Sequence, residues 1–283
     1  MSKFTNKIDF AVVFSAKNAN PNGNPLNGNR PRENYEGYGE VSDVCLKRKI
    51  RNRFQDMGYE IFVQSDDKNA DGYKSLSERA SAASELKEAG KDKEKYAQAA
   101  CKKWLDVRTF GQVFAFKSAT KGDGVSVGVR GPVSIQTAVS ILPIDISSMQ
   151  ITKSVNSEPK DSKSSDTMGM KHRVDNALYV TYGSINHQLA EKTGFSDEDA
   201  ETVKKALITL FENDSSAARP EGSMEVYKVI WWRHNCFIGQ YSSAKVHRSL
   251  KVTPKTDSPK NVFDYEIQVE QLEGLETQIY DGI

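Results

Sequence analysis

Apolar residues alternate with polar ones in some segments and recur every four residues in others, which predicts both strands and helices. Residues Ile8–Phe14 are mostly apolar and rich in β-forming types, as a buried central strand should be. Ser42 and Asp43 supply an N-cap and a first-turn acid for a helix over residues 42–54. This helix has an apolar residue at every fourth position: Leu46, Ile50 and Phe54.

Two later segments alternate as half-buried strands do. One face of the first is predicted to hold Val133, Ile135, Thr137, Val139 and Ile141. The second covers residues 177–186, and its shared face is predicted to hold Leu178, Val180 and Tyr182. Further strands are predicted near Met224–Trp232, Val246–Val252 and Phe263–Val269.

Three segments complete the predicted fold. Residues 75–105 are rich in Ala, Glu and Lys and predict one or two exposed helices, while Ser196 caps another amphipathic helix. Ser147–Arg173 is polar without a core pattern, which predicts an excursion out of the sheet. The order strand, helix, strands, helix, strand predicts an α+β domain with an antiparallel sheet, the ferredoxin-like arrangement also used by RNA-recognition domains.

Charge is balanced over the whole chain, with 39 Lys plus Arg and 38 Asp plus Glu, but it is unevenly distributed. Residues 1–59 hold ten basic and six acidic side chains, whereas residues 257–283 hold seven acidic side chains and one Lys. One interpretation is a surface that faces a polyanion and an acidic tail that faces a partner or solvent. The other is that exposed faces differ by chance.

Several classes of protein find no support in the sequence. No stretch approaches the ~20 apolar residues of a membrane span, and Met1–Phe10 contains no signal-peptide core. Cys45, Cys101 and Cys236 form neither a disulfide framework nor a zinc pattern. The histidines lack metal-ligand spacing, and the GxSxG, HExxH and GxxxxGK[ST] motifs are absent. We therefore expect a cytoplasmic protein with no cofactor, no metal and no membrane contact.

The most unusual segment is a loop with six Asn in the twelve residues 18–29, separated by Gly and Pro. Amide side chains donate and accept, so they can reach phosphate, sugar hydroxyls or base edges without carrying charge. Gly permits close approach of a ligand backbone, and Arg supplies charge for phosphate. The candidate residues are Asn20, Asn22, Asn24, Asn29 and Arg30. An ordinary Asn-rich surface loop is the alternative interpretation.

The helix that follows this loop carries a run of cations. At about 100° per residue, Lys47, Arg48 and Arg51 fall within roughly 100° of arc beside the apolar stripe. Such side chains can extend over the edge of the core and form a positive ridge next to the loop. A solvated basic face is the alternative, but the direct connection of loop and helix favours nucleic acid.

Two shorter patches are also candidate contacts for nucleic acid. Arg108 and Phe110 could clamp and stack a base, although Phe110 is equally a candidate for the core. Met168, Lys171 and Arg173 combine an apolar wedge with cations suited to phosphate. A solvated hairpin tip is the alternative for this second patch.

Five ordered motifs resemble the backbone subunit of the type I-C CRISPR surveillance complex, Cascade. They are NPNGNPLNGNRPR, VSDVCLKRKIRNRF, DVRTFGQVFA, RGPVSIQTAVSI and MGMKHRVDNALYV. The resemblance covers nearly the whole chain except residues 60–105, where no motif is shared. It implies one RRM-like palm domain over residues 1–283, with a finger-like helical insertion at 65–116 and a thumb-like excursion at 147–173.

The resemblance also implies a non-catalytic function. Backbone subunits of this family stack head to tail along one CRISPR RNA and leave most spacer bases free to pair with target DNA. The implied partners are CRISPR RNA, target DNA through the guide, copies of the chain itself, and the RNA-processing, large and small subunits of Cascade. A guide of any sequence has to be held by its phosphates and sugars, which suits Arg, Lys, Asn and Gly.

Carried over to this chain, the resemblance implies that the Asn-rich loop, the helix cations and the thumb all contact RNA. The implied residues beyond the loop are Lys47, Arg48, Arg51, Arg108, Phe110, Met168, Lys171 and Arg173. The chain departs from the family at Asn24 and Leu26, where the loop usually carries Asp. Related subunits of RNA-cleaving complexes cut their target with a loop Asp, so no cleavage is expected here.

Two other functions remain open at the level of sequence. One is an endoribonuclease that matures CRISPR RNA, with His172 or His234 as acid or base. The other is a monomeric RNA-binding protein of another pathway.

Overall fold

The computed structural model describes residues 3–116, 126–155 and 168–283. In these ranges the strands, numbered along the chain, are β1 (Ile8–Ala19), β2 (Gly23–Asn24), β3 (Arg30–Pro31), β4 (Tyr38–Val41), β5 (Gly111–Ala115), β6 (Ser126–Arg130), β7 (Val133–Ile135), β8 (Ala138–Pro143), β9 (Ile146–Thr152), β10 (Met168–Ile185), β11 (Met224–Arg233), β12 (Leu250–Pro254), β13 (Tyr265–Val269) and β14 (Glu276–Asp281). The helices are α1 (Asp43–Asp56), α2 (Leu76–Ala82), α3 (Ser84–Ala89), α4 (Lys93–Lys103), α5 (Leu105–Phe110), α6 (His187–Thr193), α7 (Asp197–Ile208) and α8 (Ser243–Arg248).

The main sheet runs in the order β14–β11–β1–β10–β8–β4, and β7 and β9 also pair with β10. Its described pairings are antiparallel, which confirms the predicted α+β class with an antiparallel sheet. Helices α1, α6 and α7 cover one face, whereas α8 and the β12–β13 ribbon cover the other. The sheet is therefore the middle layer of the molecule.

Strand β1 is the central strand of this sheet. It is buried from Ile8 to Ala16, because its apolar side chains supply both cores. One core contains Phe10, Val12 and Phe14, and the other contains Ala11 and Val13. The predicted strand Ile8–Phe14 is confirmed, and the structure extends it to Ala19.

The two long amphipathic helices form as predicted. The Ser42 side chain accepts a hydrogen bond from the Cys45 amide and caps α1, whose stripe of Leu46, Ile50 and Phe54 is fully buried. Ser196 and Asp199 form a capping box at the start of α7. Both helices pack on the same core, so the apolar spacing alone was enough to place them.

The alternating segment 133–141 does not form one strand. Ile135 lies opposite Gly183 of β10, but Val139 lies opposite Val180, so the pairing shifts by one residue between β7 and β8. An extra residue in a strand turns the following side chains to the other face. Val139 is therefore 37% exposed while its neighbours are buried, and the prediction of one shared face is wrong.

The predicted strand Val246–Val252 is wrong over its first half. Residues Ser243–Arg248 form helix α8, capped by the Ser242 hydroxyl, and the strand begins only at Leu250. Val246 and Leu250 both reach the same core, and an apolar spacing of four suits a short helix as well as an irregular strand.

The helical region is a small unit with its own core. Helices α2 to α5 cover residues 76–110, where one or two exposed helices were predicted. Phe62 packs against Trp104 and Phe114, with ring centroids 4.7 and 4.9 Å apart. These aromatic contacts hold the short helices together, since helices of 6 to 11 residues are marginal by themselves.

Strand β10 is much longer than the predicted strand at 177–186. Its first half, Met168–Val174, pairs with Ile146–Thr152 of β9 and projects beyond the other main-sheet strands. We call these two paired segments the hairpin arm. Most of its side chains are exposed, in keeping with the polar composition of the segment. Residues 156–167 of the predicted thumb lie outside the described residues.

Candidate nucleic-acid interface

The Asn-rich segment, residues 18–32, which we call the Asn loop, is held in place by two of its own amides. The buried Asn20 side chain donates to the Asn29 carbonyl at 2.6 Å, which closes the loop across its base. The Asn22 side-chain oxygen accepts from the amide of Ser42 at 3.0 Å, which ties the loop to the N-cap of α1. These two Asn residues therefore fix the loop, although both were predicted to contact RNA.

The other two candidate amides lie nearer the loop surface. Asn24 accepts from the Leu26 amide at 3.2 Å and caps a single 3-10 turn, while Asn29 is exposed with a positive φ of 58°. A Cβ at Gly23 would lie 2.9 Å from the backbone carbonyl oxygen of Asn29, so a side chain at this position would displace the loop. Leu26 at the tip is 98% exposed. The tip of the loop thus presents amide side chains and one apolar side chain, Leu26.

The Asn loop contacts the hairpin arm through three side chains. Arg30 Nη1 donates to Ser148 Oγ at 3.2 Å, and Ser148 Oγ lies 2.7 Å from His172 Nδ1. The imidazole also lies near the loop backbone, since a Cβ added at Gly28 would be 4.0 Å from His172 Nε2. Loop and arm therefore form one continuous surface, although 118 residues separate Arg30 from Ser148.

The predicted residues of the arm lie on two different faces. Directly opposed residues in an antiparallel ladder share a face, and Ser148 is opposite His172 while Ser147 is opposite Arg173. Met168 therefore shares the His172 face, against which the Asn loop packs. Lys171 and Arg173 point to the other face, where Arg173 lies 3.7 Å from Asp175. The structure does not bring Met168 and Lys171 together on one contact surface.

The predicted positive ridge on α1 is largely neutralised. Lys47 forms an ion pair with Asp43 one turn earlier, with 2.9 Å between Nζ and Oδ2. Arg48 donates to the Val63 carbonyl at 2.7 Å, and burial lowers the pKa of its guanidinium. Both side chains are half-buried, so they offer RNA less charge than the sequence suggests.

Arg51 and Arg108 stabilise the interior. Arg51 Nε donates to the fully buried Asp106 at 2.9 Å and its guanidinium lies 5.0 Å from the Phe110 ring centroid. Arg108 forms a bidentate pair with buried Asp199, at 2.9 and 2.8 Å. Each of the two arginines is therefore committed to a buried carboxylate, and its contact with RNA stays a prediction.

Phe110 belongs to the same interior. Its ring stacks on Phe54 of α1 at a centroid distance of 6.2 Å, with an interplanar angle of 19°. It also packs against the core cluster under the sheet. Of the two interpretations left open for Phe110, the structure supports the core.

Ser148 and His172 were missed as members of a shared site. The signal in the sequence was the alternation of the segment 146–152 opposite 168–174, which fixes partners once the hairpin is recognised. The hairpin was not predicted, because the segment 147–173 is polar and lacks a core pattern. Lys49 was correctly left out of the ridge, since it is buried and forms an ion pair with Asp214.

A second histidine cluster lies in the interior at the start of β1. His234 Nε2 lies 2.8 Å from Oδ2 of the fully buried Asp9, and the Gln240 amide donates to His234 Nδ1 at 3.1 Å. Burial raises the pKa of Asp9, but hydrogen bonds from His234 and Ser243 and the charge of Lys7 outweigh it and hold that pKa below its usual range. His234 is 1% exposed with both ring nitrogens engaged, so it does not reach RNA in this structure.

Two absences concern the described residues only. Within residues 3–116, 126–155 and 168–283, no group of three or more His, Cys, Asp or Glu side chains is placed to hold a metal ion. No helix in these ranges is long and apolar enough to cross a membrane. The predicted cytoplasmic location stays a prediction.

Known proteins provide an independent comparison. The chain is 24% identical over 229 residues to a CRISPR-associated protein Cas7 of Haloferax volcanii, covering 75% of this chain and 66% of that relative. This chain thus spans just under two thirds of the relative's length.

Two solved structures also resemble the fold. A chain of a CRISPR RNA-guided surveillance complex is 16% identical, with 80% of this chain and 68% of that chain covered and a TM-score of 0.44. A chain of a pre-nicking form is 15% identical, with 80% and 78% covered and a TM-score of 0.42. Both TM-scores are below 0.5, so family membership rests on the family model. That model, CRISPR-associated protein Cas7, matches residues 6–270, and the chain therefore belongs to the Cas7 family.

Proposed function

We propose that this protein is a non-catalytic backbone subunit that binds CRISPR RNA and assembles in several copies along it, within a surveillance complex of the type I-C class. The observation that carries the proposal is the continuous surface formed by the Asn loop and the hairpin arm. It combines exposed amides, the Arg30 guanidinium and the apolar side chains of Met168 and Met170. Groups of this kind suit phosphate, sugar and base faces without reading sequence.

The fold supports the same proposal at the level of architecture. Strands β11, β1, β10 and β8 lie side by side in that order, with α1 and α7 packed on one face. A β-α-β-β-α-β chain with this strand order is typical of an RRM-like palm. The fingers would be residues 65–116 and the thumb residues 147–173, which contain the helical unit and the hairpin arm. Target DNA pairing with the guide and the other Cascade subunits would then be its partners.

We restrict the proposed RNA contacts to side chains that have no buried partner among the described residues. We retain Asn24, Asn29, Arg30 and Met168, and we assign Arg51, Arg108 and Phe110 to the core for the reasons given above. Lys171 and Arg173 would meet a different stretch of RNA, or a neighbouring copy, because they face away from the Asn loop. Lys47 and Arg48 would contribute only at the edge of the surface.

The test is assembly on RNA of increasing length. Single-stranded RNAs of unrelated sequence, with lengths from about one to six subunit footprints, are mixed with the full chain and sized by light scattering. Particle mass is expected to grow in steps with RNA length, and the affinity should be the same for every sequence. Mass that stays at one copy would favour the monomeric RNA-binding protein, and strong preference for one short sequence would contradict the proposal.

Catalysis is tested with labelled repeat RNA. The proposal expects no cleavage product after prolonged incubation, with or without divalent cations. Cleavage that disappears in His172→Ala, the accessible member of the two candidate histidines, would instead identify a processing endoribonuclease.

A further inference from the structure

We propose that Ser148 and His172 are positioning residues that hold the Arg30 guanidinium ready for an RNA phosphate. This inference rests on the RNA-binding function proposed above. The three side chains come from two segments far apart in sequence, and they meet where the Asn loop touches the hairpin arm. Neither Ser nor His at these positions is required to fill a core, because both positions lie on the exposed arm.

The direction of each hydrogen bond follows from the donors available. A guanidinium only donates, so Ser148 Oγ must accept from Arg30 Nη1. The single hydroxyl proton of Ser148 is then free to be donated to His172 Nδ1, which lies 2.7 Å away. In a neutral imidazole this leaves the ring proton on Nε2. Each group in the chain Arg30, Ser148, His172 therefore has a defined role.

The surrounding backbone keeps the side chains of Arg30, Ser148 and His172 in place. Ser148 and His172 are direct partners in the β9–β10 ladder, so neither can move without disturbing the pairing. Nε2 of the ring lies on the side of Gly28, a residue of the Asn loop with a φ of 55°, where an added Cβ would be 4.0 Å away. The hydrogen bonds from Arg30 to Ser148 and between Ser148 and His172 therefore fix the loop and the arm relative to each other.

The rest of the Arg30 guanidinium remains available. Nη2 makes no hydrogen bond with the described residues, and Nε faces Glu33 at 3.9 Å, which is beyond hydrogen-bond distance. A phosphate can bind at this edge while Nη1 stays on Ser148. An Arg side chain held in one rotamer loses less conformational freedom when it binds, so positioning should strengthen phosphate binding.

The experiment measures RNA affinity as a function of salt for single and double variants. Arg30→Gln should weaken binding about tenfold and reduce the slope of log K against log salt by about 0.7, as expected for one lost phosphate contact on a single strand. Ser148→Ala should weaken binding about fivefold with a similar loss of slope. Ser148→Thr keeps the hydroxyl and should retain the wild-type slope. Lys251→Gln, an exposed charge on β12, is the matched control.

The double variant distinguishes a Ser148 that positions Arg30 from a Ser148 that contacts RNA itself. If Ser148 acts through Arg30, Arg30→Gln combined with Ser148→Ala binds no more weakly than Arg30→Gln alone. His172→Phe, which keeps an aromatic ring at this position but removes Nδ1, should weaken binding about threefold in the wild type and not at all in the Arg30→Gln background. Additive losses, or Ser148→Ala binding like the wild type, would show that Ser148 does not position Arg30. Either result would leave the proposed RNA binding intact. Wild-type protein that ignores RNA at low salt would overturn the proposed function itself.

Discussion

Two basic clusters, one beside the helical unit and one beside the hairpin arm, differ in what their charges do. The cluster toward the helical unit contains Arg51 and Arg108, and both are committed to buried carboxylates. The cluster toward the hairpin arm is built on Arg30, which is 34% exposed, donates to the Ser148 hydroxyl and lies 3.9 Å from the exposed Glu33 carboxylate. The first stabilises the protein, and the second remains available to a ligand.

The comparison shows why a count of cations is a poor guide to a phosphate-binding surface. Arginine is well suited both to phosphate and to a buried carboxylate, because its planar donors match either bidentate partner. The partner decides the role, and for Arg108 the partner is Asp199, 91 residues away. The following changes, ordered from the largest expected effect to the smallest, test the distinction between the two clusters.

Removing the buried partner of Asp199 should have the largest effect. Arg108→Met is expected to lower the free energy of unfolding by about 3–5 kcal/mol, because an unpaired carboxylate remains in the interior. Urea unfolding followed by circular dichroism measures this loss. Lys171→Gln, an exposed cation on the arm, should change stability by less than about 0.5 kcal/mol. Folded Arg108→Met that is as stable as the wild type but cannot bind RNA would reverse the assignment.

Arg51 should behave in the same way, with a smaller loss. In Arg51→Gln the Asp106 carboxylate keeps the amides of Phe62 and Val63, at 2.7 and 3.0 Å, so the expected cost is about 2 kcal/mol. The salt dependence of RNA binding should be unchanged in the folded variant. A flatter slope of log K against log salt would show that Arg51 contacts phosphate, as the sequence alone suggested. The two clusters would then not differ in their function.

Acid should destabilise the interior around Asp9 and His247. Burial lowers the pKa of His247, against the raising effects of Asp9 and of its hydrogen bond to the Gly183 carbonyl. The folded state therefore binds this proton less readily than the unfolded chain, and stability is present above the ordinary pKa of 6.5 and is lost as pH falls below it. Asp9, whose pKa is lowered, loses its contribution only below its ordinary pKa of 3.8.

The measurement is the free energy of unfolding between pH 7.5 and 5. The wild type should lose stability more steeply than His247→Gln, which keeps a donor for Gly183 but does not titrate. Equal slopes for the two proteins would contradict the role given to His247.

The smallest expected effect concerns the acid beside Arg30. Glu33 lies 3.9 Å from Arg30 Nε, and a phosphate at this edge would compete with it. Glu33→Gln should tighten RNA binding about twofold, because exposed ion pairs contribute only about 0.5 kcal/mol. Glu36→Gln, nearby but outside the ion pair, should leave the affinity unchanged. Weaker binding in Glu33→Gln would mean that Glu33 orients Arg30 and does not compete for it.

Much of the fold could be predicted because its signals are local. The stripe Leu46, Ile50 and Phe54 with the Ser42 cap defines α1, and the alternation of Leu178, Val180 and Tyr182 defines the core part of β10. The single-residue bulge between β7 and β8 was not predictable, since Thr137 and Val139 continue the alternation in sequence. Only the pairing with β10 shows that the register has shifted.

The candidate site divides in the same way. The Asn loop was recognisable from composition, because so many Asn, Gly and Pro residues in one short segment predict tight turns with exposed amides. Which amides are exposed was not predictable. The Asn20 side chain donates to the Asn29 carbonyl, and the Asn22 side chain accepts from the Ser42 amide. That division depends on how the loop folds back onto its own base and onto α1.

By itself the sequence determined the two long amphipathic helices α1 and α7, the central strand, the turn-rich loop and the resemblance to the Cascade backbone subunit, because each depends on neighbouring residues or on ordered motifs. Only the tertiary structure decided which charges are free. A charged side chain takes its role from the partner it meets, and Asp106, Asp199 and Ser148 reach their arginines from 55, 91 and 118 residues away. Long-range pairing therefore separates Arg30, which remains available, from Arg51 and Arg108, which hold the interior together.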